Sequence, residues 1–122
     1  MYKFSNIVEF IEKKSKFYGY LLENATLESI NEALEFLRGE HKKATHICYA
    51  YSIESPFSEK AVDDGEPGGT AGRPILSVLQ KKKVKNVCVF VVRYFGGIKL
   101  GAGGLVRAYT RTTSLLFAGV GK

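Results

Sequence analysis

A chain of 122 residues fits one domain and leaves no room for two of ordinary size. Its 45% hydrophobic and 25% charged content supplies a core and a solvated surface, which excludes disorder as the default state. The net charge of +6 is divided unevenly: Met1–Glu66 holds 8 Lys and Arg against 12 Asp and Glu, whereas Pro67–Lys122 holds 10 Lys and Arg and no Asp or Glu. That basic half attracts phosphate polyanions, unless the acidic half neutralises it across the fold.

Residues Ile7–Glu12 and Lys16–Leu22 read as two strands, rich in β-branched and aromatic side chains and joined by the polar turn Lys13-Lys14-Ser15. The start of the chain shows no apolar signal-peptide core. Thr26 is a good N-cap, and after it Leu27, Ile30, Leu34 and Leu37 recur at helical spacing, with Gly39 as a stop. His46–Ile53 is a third strand. Gly65–Gly72 is a glycine loop, and Pro74 suits the first turn of a short helix that ends in Lys81-Lys82-Lys83. Val87–Phe95 is apolar at successive positions, as a central strand buried on both faces should be. Its apolar run is too short to span a bilayer, so no membrane is expected. A second glycine loop, Gly96–Gly104, leads into a last helix over Leu105–Phe117, with Leu105, Ala108, Thr112 and Leu116 inward. The two cysteines, Cys48 and Cys88, lie inside strand-like runs and read as buried free thiols of a reducing cytoplasm.

The order ββαβαβα predicts one α/β domain over residues 1–122: a two-layer sandwich with a mixed four-stranded sheet and its helices on one face. The other face would need a partner or stay partly exposed.

Both glycine loops run into helix N-termini, where free backbone N–H groups and the helix dipole favour anions. Around them stand Arg73, Arg93, Lys99, Gly101, Gly103, Gly104, Arg107 and Arg111, the candidate phosphate or nucleic-acid contacts. Standard nucleotide motifs fail. Gly96–Gly101 has Walker A spacing, but Ala102-Gly103 replaces the Lys-Ser/Thr pair. Gly101-Ala102-Gly103 opens a dinucleotide fingerprint, but Val106 replaces the third glycine. No cofactor is expected. No metal is either, because the cysteines are far apart and no third ligand is spaced for zinc beside His41 and His46.

Three roles are open to the carboxylates Asp63, Asp64 and Glu66. They order the loop by bridging Arg73, Arg93 or Arg107; they bind a cation; or they act with His46 in catalysis. Tyr49, Tyr51, Tyr94, Phe95 and Tyr109 are candidates for stacking on unpaired bases, although Tyr49 and Tyr51 also suit a core.

Asp63–Pro67 with Gly69–Pro74, and Val91–Gly101 with Gly103–Tyr109, are long ordered stretches that resemble the YigZ/Impact family over essentially the whole chain. Lys14–Phe17 and His46 fit the same resemblance. It implies the fold of the second domain of ribosomal protein S5 and of domain IV of translocating elongation factors, with a left-handed βαβ crossover. Bacterial relatives usually add a ferredoxin-like domain, and eukaryotic Impact proteins add an RWD domain and act in translational control through protein partners. No enzyme activity is tied to the family's motifs. The leading expectation is an RNA- or ribosome-associated binding module with a role in translation regulation. The alternatives are an enzyme using the Asp-Asp-Gly-Glu loop and a protein-interaction module using an exposed sheet face. Oligomeric state is left open.

Overall fold

The computed structural model describes residues 2–118. β1 (Phe4–Glu12) and β2 (Ser15–Glu23) form an antiparallel hairpin. Its turn residues Lys13 and Lys14 both take positive φ (47° and 68°), the backbone of the tight turns that match strand twist. α1 (Leu27–Glu40) opens on a capping box: Thr26 Oγ1 accepts from Ser29 N–H at 3.1 Å, and Ser29 Oγ accepts from Thr26 N–H at 2.9 Å. Gly39 does not stop the helix, which runs through Glu40 to a cap at His41. β3 (His46–Ile53), β4 (Ser58–Val62), α2 (Gly72–Lys82), β5 (Val87–Tyr94) and α3 (Gly101–Leu116) follow.

The sheet has five strands in the order β1-β2-β5-β3-β4, and every neighbouring pair is antiparallel. This corrects the mixed four-stranded sheet. β4 escaped because Ser58-Glu59-Lys60-Ala61-Val62 is a short edge strand with no buried face. The sheet is not mixed because β5 slots between β2 and β3 and runs against both. The crossovers β2–α1–β3 and β4–α2–β5 therefore join parallel strands that are not neighbours.

The helices also lie on both faces rather than one. α2 and α3 pack with Phe17, Leu21, Cys48, Ala50, Val89 and Val91, whereas α1 packs with Leu22, Ile47, Tyr51, Cys88, Phe90 and Val92. A central strand that is apolar from Val87 to Val92 presents two faces that both require cover, and α1 supplies the second. Finally, α3 begins at Gly101, so Gly101, Gly103 and Gly104 form its first turn instead of a loop. Glycine's low helix propensity hid that start, and packing overrides it. Among the described residues, no helix is long and apolar enough to cross a membrane.

Candidate functional site

The acidic loop is held by its own hydrogen bonds. Asp63 accepts from Gly69, Ala71 and Gly72 N–H at 2.9, 3.2 and 2.9 Å. It thereby caps α2 from a distance, since the N-cap Ala71 has no side-chain acceptor. Burial pushes the Asp63 carboxyl up, but those three amides and Arg73 outweigh it and hold its pKa below the usual carboxylate value. A depressed folded pKa gives stability that is present above the unfolded value near 3.9 and lost as pH falls through the folded one. Asp63→Asn should therefore flatten the acid limb of a stability profile below about pH 4, measured by urea denaturation against pH. Asp64 accepts from Ile47 N–H at 2.7 Å, and its carbonyl accepts from His46 Nδ1 at 2.8 Å.

Glu66 is the buried member, with 2% of its side chain exposed. Arg93 Nη1 donates to both its oxygens at 2.9 and 2.8 Å, the Tyr109 hydroxyl donates to Oε2, and His46 Nε2 lies 3.4 Å from Oε1. Burial first, then neighbouring Cys48 and Glu66, push the Tyr109 hydroxyl pKa up, so it stays a donor. Arg93 also donates from Nη2 to Ser15 Oγ at 3.3 Å, and its guanidinium lies between the Phe17 and Phe95 rings, 5.5 and 5.6 Å from their centroids. At 5% exposure and balanced by Glu66, Arg93 is an internal brace rather than a free cation for phosphate. Among the described residues, no three His, Cys, Asp or Glu side chains are grouped to hold a metal.

The two glycine segments meet. A cleft of about 340 Å³ is lined by His46 and Glu66 from the first side and by Lys99, Leu100, Gly101 and Ala102 from the second. Leu100 also borders a groove of about 550 Å³ along α3, lined by Phe10, Glu12, Lys13, Val106, Arg107 and Arg111. Phe95 also borders a third cleft, of about 410 Å³, lined by Lys14, Lys16, Tyr18, His41 and Tyr94. Sharing Leu100 and Phe95 as wall residues, the three clefts make a tract that passes from the α3 face of the sheet to its α1 face. Gly96 clamps that hairpin: a Cβ there would lie 2.0 Å from the Lys14 carbonyl oxygen, and its N–H donates to Ser15 Oγ at 3.2 Å.

Of the candidate cations, Lys99, Arg107 and Arg111 are exposed within this tract, while Arg73 is exposed on the first turn of α2 and lines none of the three clefts. Sequence reasoning missed Lys13, Lys14 and Lys16 as members. Their signal is the lysine-rich turn, but only the fold brings it beside residues about eighty positions later. His41 was missed too. Its Nε2 and Nδ1 hydrogen-bond the Tyr20 and Tyr94 hydroxyls at 2.8 and 2.6 Å, and its ring stacks on Tyr18. Burial lowers its pKa against an opposing pull from Glu40. A lowered folded pKa means that the unfolded chain binds the proton more readily, so stability falls as pH drops below the unfolded value near 6.5. His41→Gln should remove that part of the pH dependence between about pH 7 and 5, read as the difference between wild-type and variant denaturation midpoints.

Residues 13–117 match the Impact N-terminal domain. The IMPACT family member YvyE of Bacillus subtilis is 49% identical over 107 residues, covering 87% of this chain and 49% of that protein. A solved structure described as a hypothetical protein superposes with a TM-score of 0.86 at 37% identity, over 92% of this chain and 56% of that one. The two-domain translational regulator Yih1 superposes with a TM-score of 0.61 at 23% identity, over 96% of this chain and 46% of that one, a likeness of fold. The chain spans about half the length of these proteins.

Proposed function

This chain belongs to the Impact N-terminal domain family, and we propose that it is an RNA-binding module acting in translational regulation, with its ligand in the cytoplasm or on the ribosome. The observation that carries this reading is the joined tract of three clefts, to which Lys13, Lys14, Lys16, Lys99, Arg107 and Arg111 contribute cations. Among the described residues, two acids line it: Glu12, and Glu66, whose charge Arg93 balances. Several cations spread over clefts on two faces of the sheet suit a chain of phosphates better than one small anion. The description of Yih1 as a translational regulator supports translation as the setting.

The catalytic reading has less support. Asp63 and Asp64 accept from backbone amides, and Glu66 is occupied by Arg93 and Tyr109. A protein partner in translational control would be favoured instead by captured partners that survive nuclease treatment.

The test is titration of a labelled RNA with the protein at rising salt. Six phosphate contacts to a single strand should lower the affinity by roughly two to three orders of magnitude between 50 and 200 mM salt. Absent binding, or affinity indifferent to salt, would sink the proposal.

A further inference from the structure

The cleft on the α1 side of the sheet is more specific than its charge alone requires. We propose that it is a base-stacking subsite for single-stranded RNA, in which Tyr18, Tyr94 and Phe95 receive unpaired bases and Lys14 and Lys16 hold the neighbouring phosphates. This rests on the RNA reading above and narrows its ligand.

The subsite exists because α1 is too short to cover its face of the sheet. The last buried residue of α1 is Leu37, the helix ends at Glu40, and its cap His41 reaches Tyr20 and Tyr94. Beyond that point the same sheet face is left with Lys16, Tyr18 and Tyr94 along a cleft of about 410 Å³, a volume within the usual range of ligand sites. Ile7 and Ile11, on the adjoining edge strand, remain 56% and 55% exposed.

The rings are held before any ligand arrives. Tyr94 is tied through its hydroxyl to His41 Nδ1 at 2.6 Å. Tyr18 stacks on the His41 ring at 5.9 Å and 26°, and meets Tyr94 edge-on at 5.9 Å and 86°. Phe95 lies against the Arg93 guanidinium at 5.6 Å yet is 47% exposed. Ordered rings give up little conformational freedom when a base stacks on them.

The cations are placed with equal definition. Lys16 sits opposite Tyr94 in the β2–β5 register, and Lys14 sits on the turn that Gly96 clamps. Among the described residues, no carboxylate lines this cleft. Glu9, paired with Tyr18 across β1 and β2, meets its hydroxyl.

Rings in a cleft can stack only on bases that are out of a duplex. A-form RNA keeps its bases stacked inside and presents sugars and phosphates instead. The experiment compares a labelled 12-nucleotide oligouridylate with a 12-base-pair RNA duplex, each titrated with wild type, Phe95→Leu, Tyr94→Leu and Phe95→Tyr. Thermal melts establish which variants are folded at the assay temperature. The single strand should lose roughly five- to a hundredfold in affinity with each leucine variant, while the duplex is unchanged and Phe95→Tyr retains binding. If Tyr94→Leu fails to fold, because its hydroxyl tie to His41 is lost, the Phe95 pair decides alone. Salt-dependent binding of both RNAs that Phe95→Leu leaves untouched would overturn the subsite and leave the RNA reading standing. Absence of salt-dependent binding to either RNA would overturn both.

Discussion

Glu66→Ala is expected to remove about 3–5 kcal/mol of folding stability, the scale of breaking one side of a buried ion pair. The truncation leaves the Arg93 guanidinium without a counterion at 5% exposure and takes the acceptor from the fully buried Tyr109 hydroxyl. Arg93 would keep the Ser15 hydroxyl but no charged partner for its Nη1, and its Nε is already buried without a hydrogen-bond partner among the described residues. Such a loss is a large share of the roughly 5–15 kcal/mol that holds a domain folded. The double replacement Glu66→Leu with Arg93→Met should cost much less than the two single changes added, because it removes both charges together. Urea denaturation of the three variants gives the coupling. A loss below about 1 kcal/mol for Glu66→Ala, or simple additivity in the double variant, would mean that the pair is not the brace that joins the acidic loop to β5 and α3.

Gly96→Ala is the second large effect, expected at about 3 kcal/mol, the upper end for overpacking. The added methyl would fall 2.0 Å from the Lys14 carbonyl oxygen and 2.1 Å from its carbon, and backbone cannot rotate aside as a side chain can. The hairpin turn must therefore move, which also loosens Ser15 from Gly96 N–H and from Arg93. Because Lys13 and Lys14 travel with that turn, RNA affinity should fall in whatever fraction remains folded. Gly68→Ala is the matched control. It meets open space, and its effect should stay within about 0.5 kcal/mol in the same thermal or urea melts.

Much of the framework was legible because local chemistry and tertiary structure agree. His46–Ile53 is the third strand as read, Thr26 caps α1 as read, and β5 is buried on both faces. The misreadings share a cause: each is decided by what packs against the segment. β4 has no buried face and is a strand only because β3 offers it hydrogen bonds. The first turn of α3 holds three glycines, which disfavour helix. α1 shows an apolar stripe in sequence, but nothing in the stripe says which side of the sheet it covers.

The candidate site was legible in part. The residue pattern brought out both glycine segments and left Arg73, Arg93 and Arg107 open as partners for the acids. Glu66 takes Arg93, whereas Asp63 and Asp64 take backbone amides, a choice set by positions that no spacing encodes. An arginine in strand β5 reads as a surface cation until Glu66, 27 residues earlier, is seen to face it. The lysines of the β1–β2 turn needed the fold to join the tract.

A second basic patch, Lys81-Lys82-Lys83 with Lys85, spans the last turn of α2 and the residues after it and lines none of the three clefts. It allows the most direct measurement of the central claim: RNA affinity as a function of salt for two charge-reversed proteins of equal net charge. One is Arg107→Glu with Arg111→Glu, the other Lys81→Glu with Lys83→Glu; all four side chains belong to exposed residues. The arginine pair is expected to weaken binding about a hundredfold or more and to show a shallower salt slope, by about 0.7 for each phosphate no longer held. The lysine pair should bind within a few-fold of wild type. Equal losses in the two proteins, or a larger loss in the lysine pair, would contradict the assignment of the three-cleft tract as the RNA-binding surface.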